Sequence, residues 1–95
     1  ERLPARSARD WGLITRLVPD DRLMETALGV AQGLAAGPTR ALNLIRRLGW
    51  AAADSDFEAQ LRLERESQRE ASGTWDHREG VKAFRAKRKP RFAGR

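Results

Sequence analysis

Trp75-Asp76-His77-Arg78-Glu79-Gly80-Val81-Lys82-Ala83-Phe84-Arg85-Ala86-Lys87-Arg88-Lys89-Pro90-Arg91-Phe92 reads as one helix and its exit. The hydroxyl of Thr74, just before it, can accept from a free amide of the first turn, which makes Thr74 the expected N-cap. Asp76 and Glu79 fall in the first two turns, near the positive end of the helix dipole, while Arg85, Lys87, Arg88 and Lys89 crowd the negative end. Pro90 has no amide with which to continue, so the expected last helical residue is Lys89. On such a helix Phe84 and Lys87 are three apart and share a face. A flat ring beside a mobile ammonium suits a stacked base with a phosphate at the charge. A core phenylalanine beside a solvated lysine is the plainer reading of the same spacing.

The charge of the chain is concentrated in this same region. Residues 1–77 hold eleven Arg against twelve Asp or Glu, whereas residues 78–95 hold eight Lys or Arg against Glu79 alone. The net +6 is thus a property of one helix and tail, which suits nucleic acid, an acidic membrane or a phosphorylated small molecule. Ninety-five residues make one small domain, too short for an active-site barrel or a doubly wound sheet. The chain opens on Glu1 and its only methionine is Met24, which reads as a piece of a longer protein. Cysteine is absent, so there is no disulfide framework, and a cytoplasmic setting fits. No apolar run has the length of a membrane span.

Upstream, turn residues divide the chain into helices. Pro4 to Trp11 reads as a short helix closed by Gly12 in the left-handed region. Leu13, Ile14, Leu17 and Val18 form a short β-prone stretch, expected to be a strand or an extended crossing. Asp20 or Asp21 can cap a helix from Arg22 to Ala36, with Leu23, Ala27, Val30, Ala31 and Leu34 on one apolar face. After the Gly37-Pro38 bend, a helix to Ala53 should bury Ala41, Leu42, Ile45, Leu48 and Ala52. Ser55-Asp56-Phe57-Glu58 has the capping-box pattern, with Ser55 at the N-cap. The helix it starts, to Ala71, has few apolar residues, which makes it a solvated arm or a surface that packs on another polypeptide. The expected fold class is all-α: four to five helices and one short extended segment.

Little here supports catalysis. His77 is the only histidine, and tyrosine and cysteine are missing, so a nucleophile system or a metal cluster has no material. The Asp54-Ser55-Asp56 carboxylates mark a helix junction rather than an acid/base pair. The eight glycines are scattered as stops and bends, not gathered into a phosphate cradle. No catalytic residue and no metal ligand is assigned.

Glu79 to Arg95 resembles the C-terminus of the enoyl-CoA hydratase/isomerase (crotonase) family, which commonly ends in an E-G-x-x-A-F-x-x-K-R-x-P-x-F-x-G-like run. Ala8-Arg9-Asp10-Trp11-Gly12-Leu13-Ile14 with Val18-Pro19-Asp20-Asp21, and Leu34-Ala35-Ala36-Gly37-Pro38-Thr39-Arg40-Ala41, resemble two further segments of that family in order and spacing. The resemblance covers essentially the whole chain, and residues 60–71 are similar to its phenylacetyl-CoA ring-epoxide isomerases.

This resemblance implies that residues 1–95 are a C-terminal helical domain. The missing N-terminal core would be α/β, built of ββα repeats, and would hold the oxyanion hole and acidic catalytic groups. The domain would assemble a homotrimer or a dimer of trimers and help close the coenzyme A site, with Phe84 near adenine and Lys87 near the phosphates. The substrate would be a coenzyme A thioester, with no prosthetic group, nucleic acid or membrane involved. Two rival readings remain: a basic helical nucleic-acid-binding module, and an oligomerisation domain without a ligand. The first wants base-reading side chains, and the basic stretch contains no Asn or Gln.

Overall fold

A computed structural model describes residues 2–95. They form five α-helices: α1 (Ala5–Asp10), α2 (Leu23–Ala35), α3 (Thr39–Ala51), α4 (Phe57–Ser72) and α5 (Trp75–Arg85). A single 3₁₀ turn, Asp20–Arg22, leads into α2. The fold is all-α, as the sequence indicates. Of the two readings of Leu13–Val18, a strand or an extended crossing, the strand is not formed: the stretch has no regular structure, and no ladder occurs among the described residues to receive it. β-prone side chains without a partner strand have nothing to pair with.

The chain divides into two units, one ending at Ala31 and the other Gln32–Arg95. In the first, α1 starts after Pro4 and closes in a Schellman motif. The Gly12 N–H donates to Arg9 O at 2.9 Å and the Leu13 N–H to Ala8 O at 2.9 Å. Gly12 occupies the left-handed region at φ 76°, where a side chain would be strained.

In the second unit α3 packs on α4, and α4 on α5. Gly37 makes the bend before α3 possible, since a Cβ there would lie 3.2 Å from both Leu34 O and Leu42 Cδ1. The face that α3 turns inward differs from the expected one. Leu44 is its buried residue at 5% exposure, whereas Ile45 is 64% exposed. Residues 41, 44, 48 and 51 follow the helical period as well as 41, 45, 48 and 52 do, and the position of α4 selects the former.

Capping of α4 also departs from expectation. Asp56, not Ser55, is the N-cap, and its carboxylate accepts from the Ala59 N–H at 2.7 Å. An ionised side chain at the helix N-terminus satisfies the amide and complements the dipole together, which a hydroxyl one residue earlier does not. Gln60 ties α4 to α3 by donating from Nε2 to Leu48 O at 3.3 Å. The half-buried positions on α4 are Ala59, Gln60, Ser67 and Ala71, while Phe57 is exposed. Small residues allow the close approach, so the thin apolar stripe is not what holds this helix.

Leu23 and Leu34, expected to be core, are each more than half exposed, as are Met24, Leu28 and Trp50. Leu44 and Ala83 are the buried apolar residues among those described.

Candidate functional site

The second unit ends in a strap built on α5. Thr74 caps the helix, as its sequence position implies. Its hydroxyl accepts from the His77 N–H at 3.0 Å and donates to Ala71 O at 2.7 Å, joining the end of α4 to the start of α5. The helix stops at Arg85, four residues before the expected end at Lys89. The stop is a second Schellman motif: the Lys87 N–H donates to Phe84 O at 3.1 Å and the Arg88 N–H to Ala83 O at 3.0 Å. Pro90 therefore does not terminate the helix; the turn at Lys87 does.

Beyond that turn the chain runs back along α5, held by the two carboxylates that the sequence sets near the positive end of the helix dipole. Glu79 takes both terminal nitrogens of Arg88, at 2.7 and 3.0 Å, and also accepts from the Arg91 N–H at 2.9 Å. These bonds, first that from the Arg88 guanidinium and then that from the Arg91 amide, hold the Glu79 carboxyl well below its usual range, at about 2. The same contact raises Arg88. Asp76, only 2% exposed, accepts from the Ala93 N–H at 2.7 Å and the Gly94 N–H at 2.9 Å. Its own N–H donates to Arg95 O at 2.9 Å. Phe92 lies over Gly80, where a Cβ would stand 3.7 Å from the Phe92 ring. Arg95 stacks over Trp75 at 5.9 Å. Asp76, Glu79, Gly80 and Ala83 are spaced to share one helix face, and the strap covers that face.

Gly94 closes the strap against α3. It sits at φ 72°, and a Cβ there would fall 2.7 Å from Thr39 Oγ1. Gly94→Ala should destabilise the protein by roughly 1–2 kcal/mol through left-handed strain, with further loss from that clash. Thermal denaturation of the variant beside wild type checks this, and an unchanged midpoint contradicts it.

Phe84 stands on the last turn of α5, 85% exposed, so within this chain it is no core residue. Lys87 is exposed too, but it is not on the helix. It lies past the C-cap Ala86 at φ 51°, so the expected shared helical face is replaced by a turn in which the Lys87 amide bonds to the Phe84 carbonyl. Phe84 also borders a groove of about 470 Å³ lined by Pro38, Ala41, Ala71, Gly80, Val81 and Phe92 among others. Sequence reasoning missed Asp76 and Glu79 as the groups that fix this surface. The signal available was the pairing of two acids, one turn apart, with a basic segment beyond a proline. No group of three or more carboxylates and histidines able to hold a metal occurs among the described residues. No helix among them is long and apolar enough to cross a membrane.

Comparison with known proteins agrees with the motifs. The chain is 44% identical over 93 residues to the 1,2-epoxyphenylacetyl-CoA isomerase of Escherichia coli (strain K12), a match covering 98% of this chain and 36% of that protein. It is 32% identical over 95 residues to the 2,3-dehydroadipyl-CoA hydratase of the same organism, covering 100% of this chain and 37% of the relative. An enoyl-CoA hydratase subunit I structure from Geobacillus kaustophilus HTA426 superposes with a TM-score of 0.95 at 35% identity, over 100% of this chain and 37% of that one. The chain thus spans little more than a third of the length of these relatives. The sequence profile of the enoyl-CoA hydratase/isomerase family matches residues 1–95, and the chain belongs to that family.

Proposed function

We propose that residues 1–95 form the C-terminal helical domain of a longer acyl-CoA hydratase or isomerase, where they assemble the enzyme as a trimer or dimer of trimers and help close the coenzyme A site. Phe84 stacks on adenine and Lys87 meets the phosphates. The observation that supports this most is the Phe84 ring itself. Its aromatic side chain is 85% exposed, on a helix locked by its own tail and followed by a basic turn, which leaves the ring open to a stacked ligand. The exposed apolar residues of α2 favour the assembly half of the proposal, since patches of this kind mark protein interfaces. The nucleic-acid reading loses ground, because Arg88 spends its charge on Glu79. In this reading the catalytic groups lie outside these residues, and the substrate is a coenzyme A thioester.

Substitution in the full-length enzyme tests the ligand half. Phe84→Ala should weaken binding of a CoA ester by roughly 1–3 kcal/mol. Lys87→Ala should cost about 1 kcal/mol, less at high salt, because a phosphate contact near the surface is screened. Neither residue meets the acyl carbons, so KM should rise more than kcat falls. Unchanged KM in both variants, with folding intact, defeats the proposal.

A further inference from the structure

Four arginines from separate parts of the second unit line one concavity of about 620 Å³ where α4 meets α5. Arg40 comes from the start of α3, Arg69 from the last turn of α4, Arg78 from α5 and Arg95 from the strap. Glu70 is the one carboxylate among the described residues that line it, so the side chains there carry +3. Glu70 is already engaged by Arg40, at 3.2 Å. Arg69, Arg78 and Arg95 form no ion pair among the described residues. Both oxygens of Asp76 are taken by the Ala93 and Gly94 amides. Arg69 has a plainer task, since a cation at the end of α4 complements its dipole. That account does not extend to Arg78 or Arg95, which belong to other elements. Arg95 is moreover placed over the ring of Trp75, a wall of the same concavity, at 5.9 Å.

We propose that this concavity binds a small phosphorylated compound, with Arg78 and Arg95 as its main contacts. Gathered like charges repel, and an anion that reaches several of them at once relieves the repulsion. A guanidinium is a planar fork that meets phosphate or carboxylate oxygens two at a time. A lone carboxylate would leave most of the charge unbalanced, whereas one phosphate group brings about two negative charges on a compact body. The site is separate from the Phe84 and Lys87 contacts. Trp75 and Phe84 stand nine residues apart on α5, which sets them on opposite sides of the helix.

Calorimetric titration of the full-length enzyme with inorganic pyrophosphate at low salt tests this. Wild type should bind, and Arg78→Gln and Arg95→Gln should each bind about tenfold more weakly, because a charge-assisted contact is lost. Both side chains are exposed, so without pyrophosphate the melting midpoints should stay within about 2 °C of wild type. Arg78→Lys keeps the charge without the fork and should fall between wild type and Arg78→Gln. Phe84→Ala and Lys87→Ala should leave pyrophosphate affinity unchanged, which keeps this result independent of the coenzyme A reading. Failure of wild type to bind pyrophosphate overturns the proposal. Weakened binding in Lys87→Ala with none in Arg78→Gln also overturns it, by placing the anion at the turn after α5. If wild type ignores pyrophosphate while Arg78→Gln splits the assembled enzyme, the arginines meet an acidic segment of a neighbouring subunit, and the proposal falls.

Discussion

Asp76→Ala should release the end of the chain from α5 and lower stability by roughly 3 kcal/mol, the largest effect expected of any substitution in this region. The reason lies in the bonding of one carboxylate. Asp76 is 2% exposed and accepts from two successive backbone amides, of Ala93 and Gly94, one on each oxygen. Bonds to an ionised acceptor are about twice as strong as neutral ones, and two of them are lost together here. Asp76→Asn is close to isosteric but turns an NH₂ toward one of those amides, so it should recover at most half of the loss. Amide hydrogen exchange reads this directly. In wild type the Ala93 and Gly94 amides should be protected, and in Asp76→Ala they should exchange at the rate of a free terminus. Retained protection in the variant would show that the Phe92 contact with Gly80 suffices to hold the strap.

The second large effect is on pH dependence and belongs to Glu79. Its carboxyl titrates at about 2 in the folded chain, against 4.5 for an unperturbed group. A depressed folded pKa means that the unfolded or released state binds the proton more readily. The stabilising contribution is therefore complete above about pH 4.5 and disappears as the pH falls toward 2. Glu79→Gln removes the charge at every pH, so the gap between wild type and variant should be full at neutral pH, narrow below 4.5 and close near 2. The resonance of the Arg91 amide, which donates to Glu79 at 2.9 Å, reports the transition locally and separates it from titration of other carboxylates. A gap that stays constant between pH 5 and 2 would contradict the assignment of that proton to Glu79.

Much of the architecture was legible because turn chemistry is local. Gly12, Gly37 and Pro38, and Thr74 each act on the residues beside them, and each stands where a helix ends or begins. The inward face of α3 was not legible: Leu44 and Ile45 are equally apolar neighbours, and only the placement of α4 sets one inside and the other 64% exposed. Residue types identified Phe84 and Lys87 as candidates, but the turn that carries Lys87 was hidden. A lysine gives no sign that it will take a conformation favoured by glycine, and Pro90 offered a more obvious stop. Asp76 and Glu79 were visible as acids in the first turns. Their partners lie nine to eighteen residues on, across a reversal that no periodicity announces.

The most direct measurement compares the affinity of the full-length enzyme for coenzyme A with its affinity for pantetheine, in wild type and in Phe84→Ala. If α5 and its turn close the site over the adenosine end, the preference for coenzyme A should fall about tenfold in the variant, the equivalent of roughly 1.4 kcal/mol of lost stacking. Pantetheine binding should be unchanged. An unaltered preference in a correctly folded and assembled Phe84→Ala enzyme would contradict the central claim and leave α5 as an element of assembly alone.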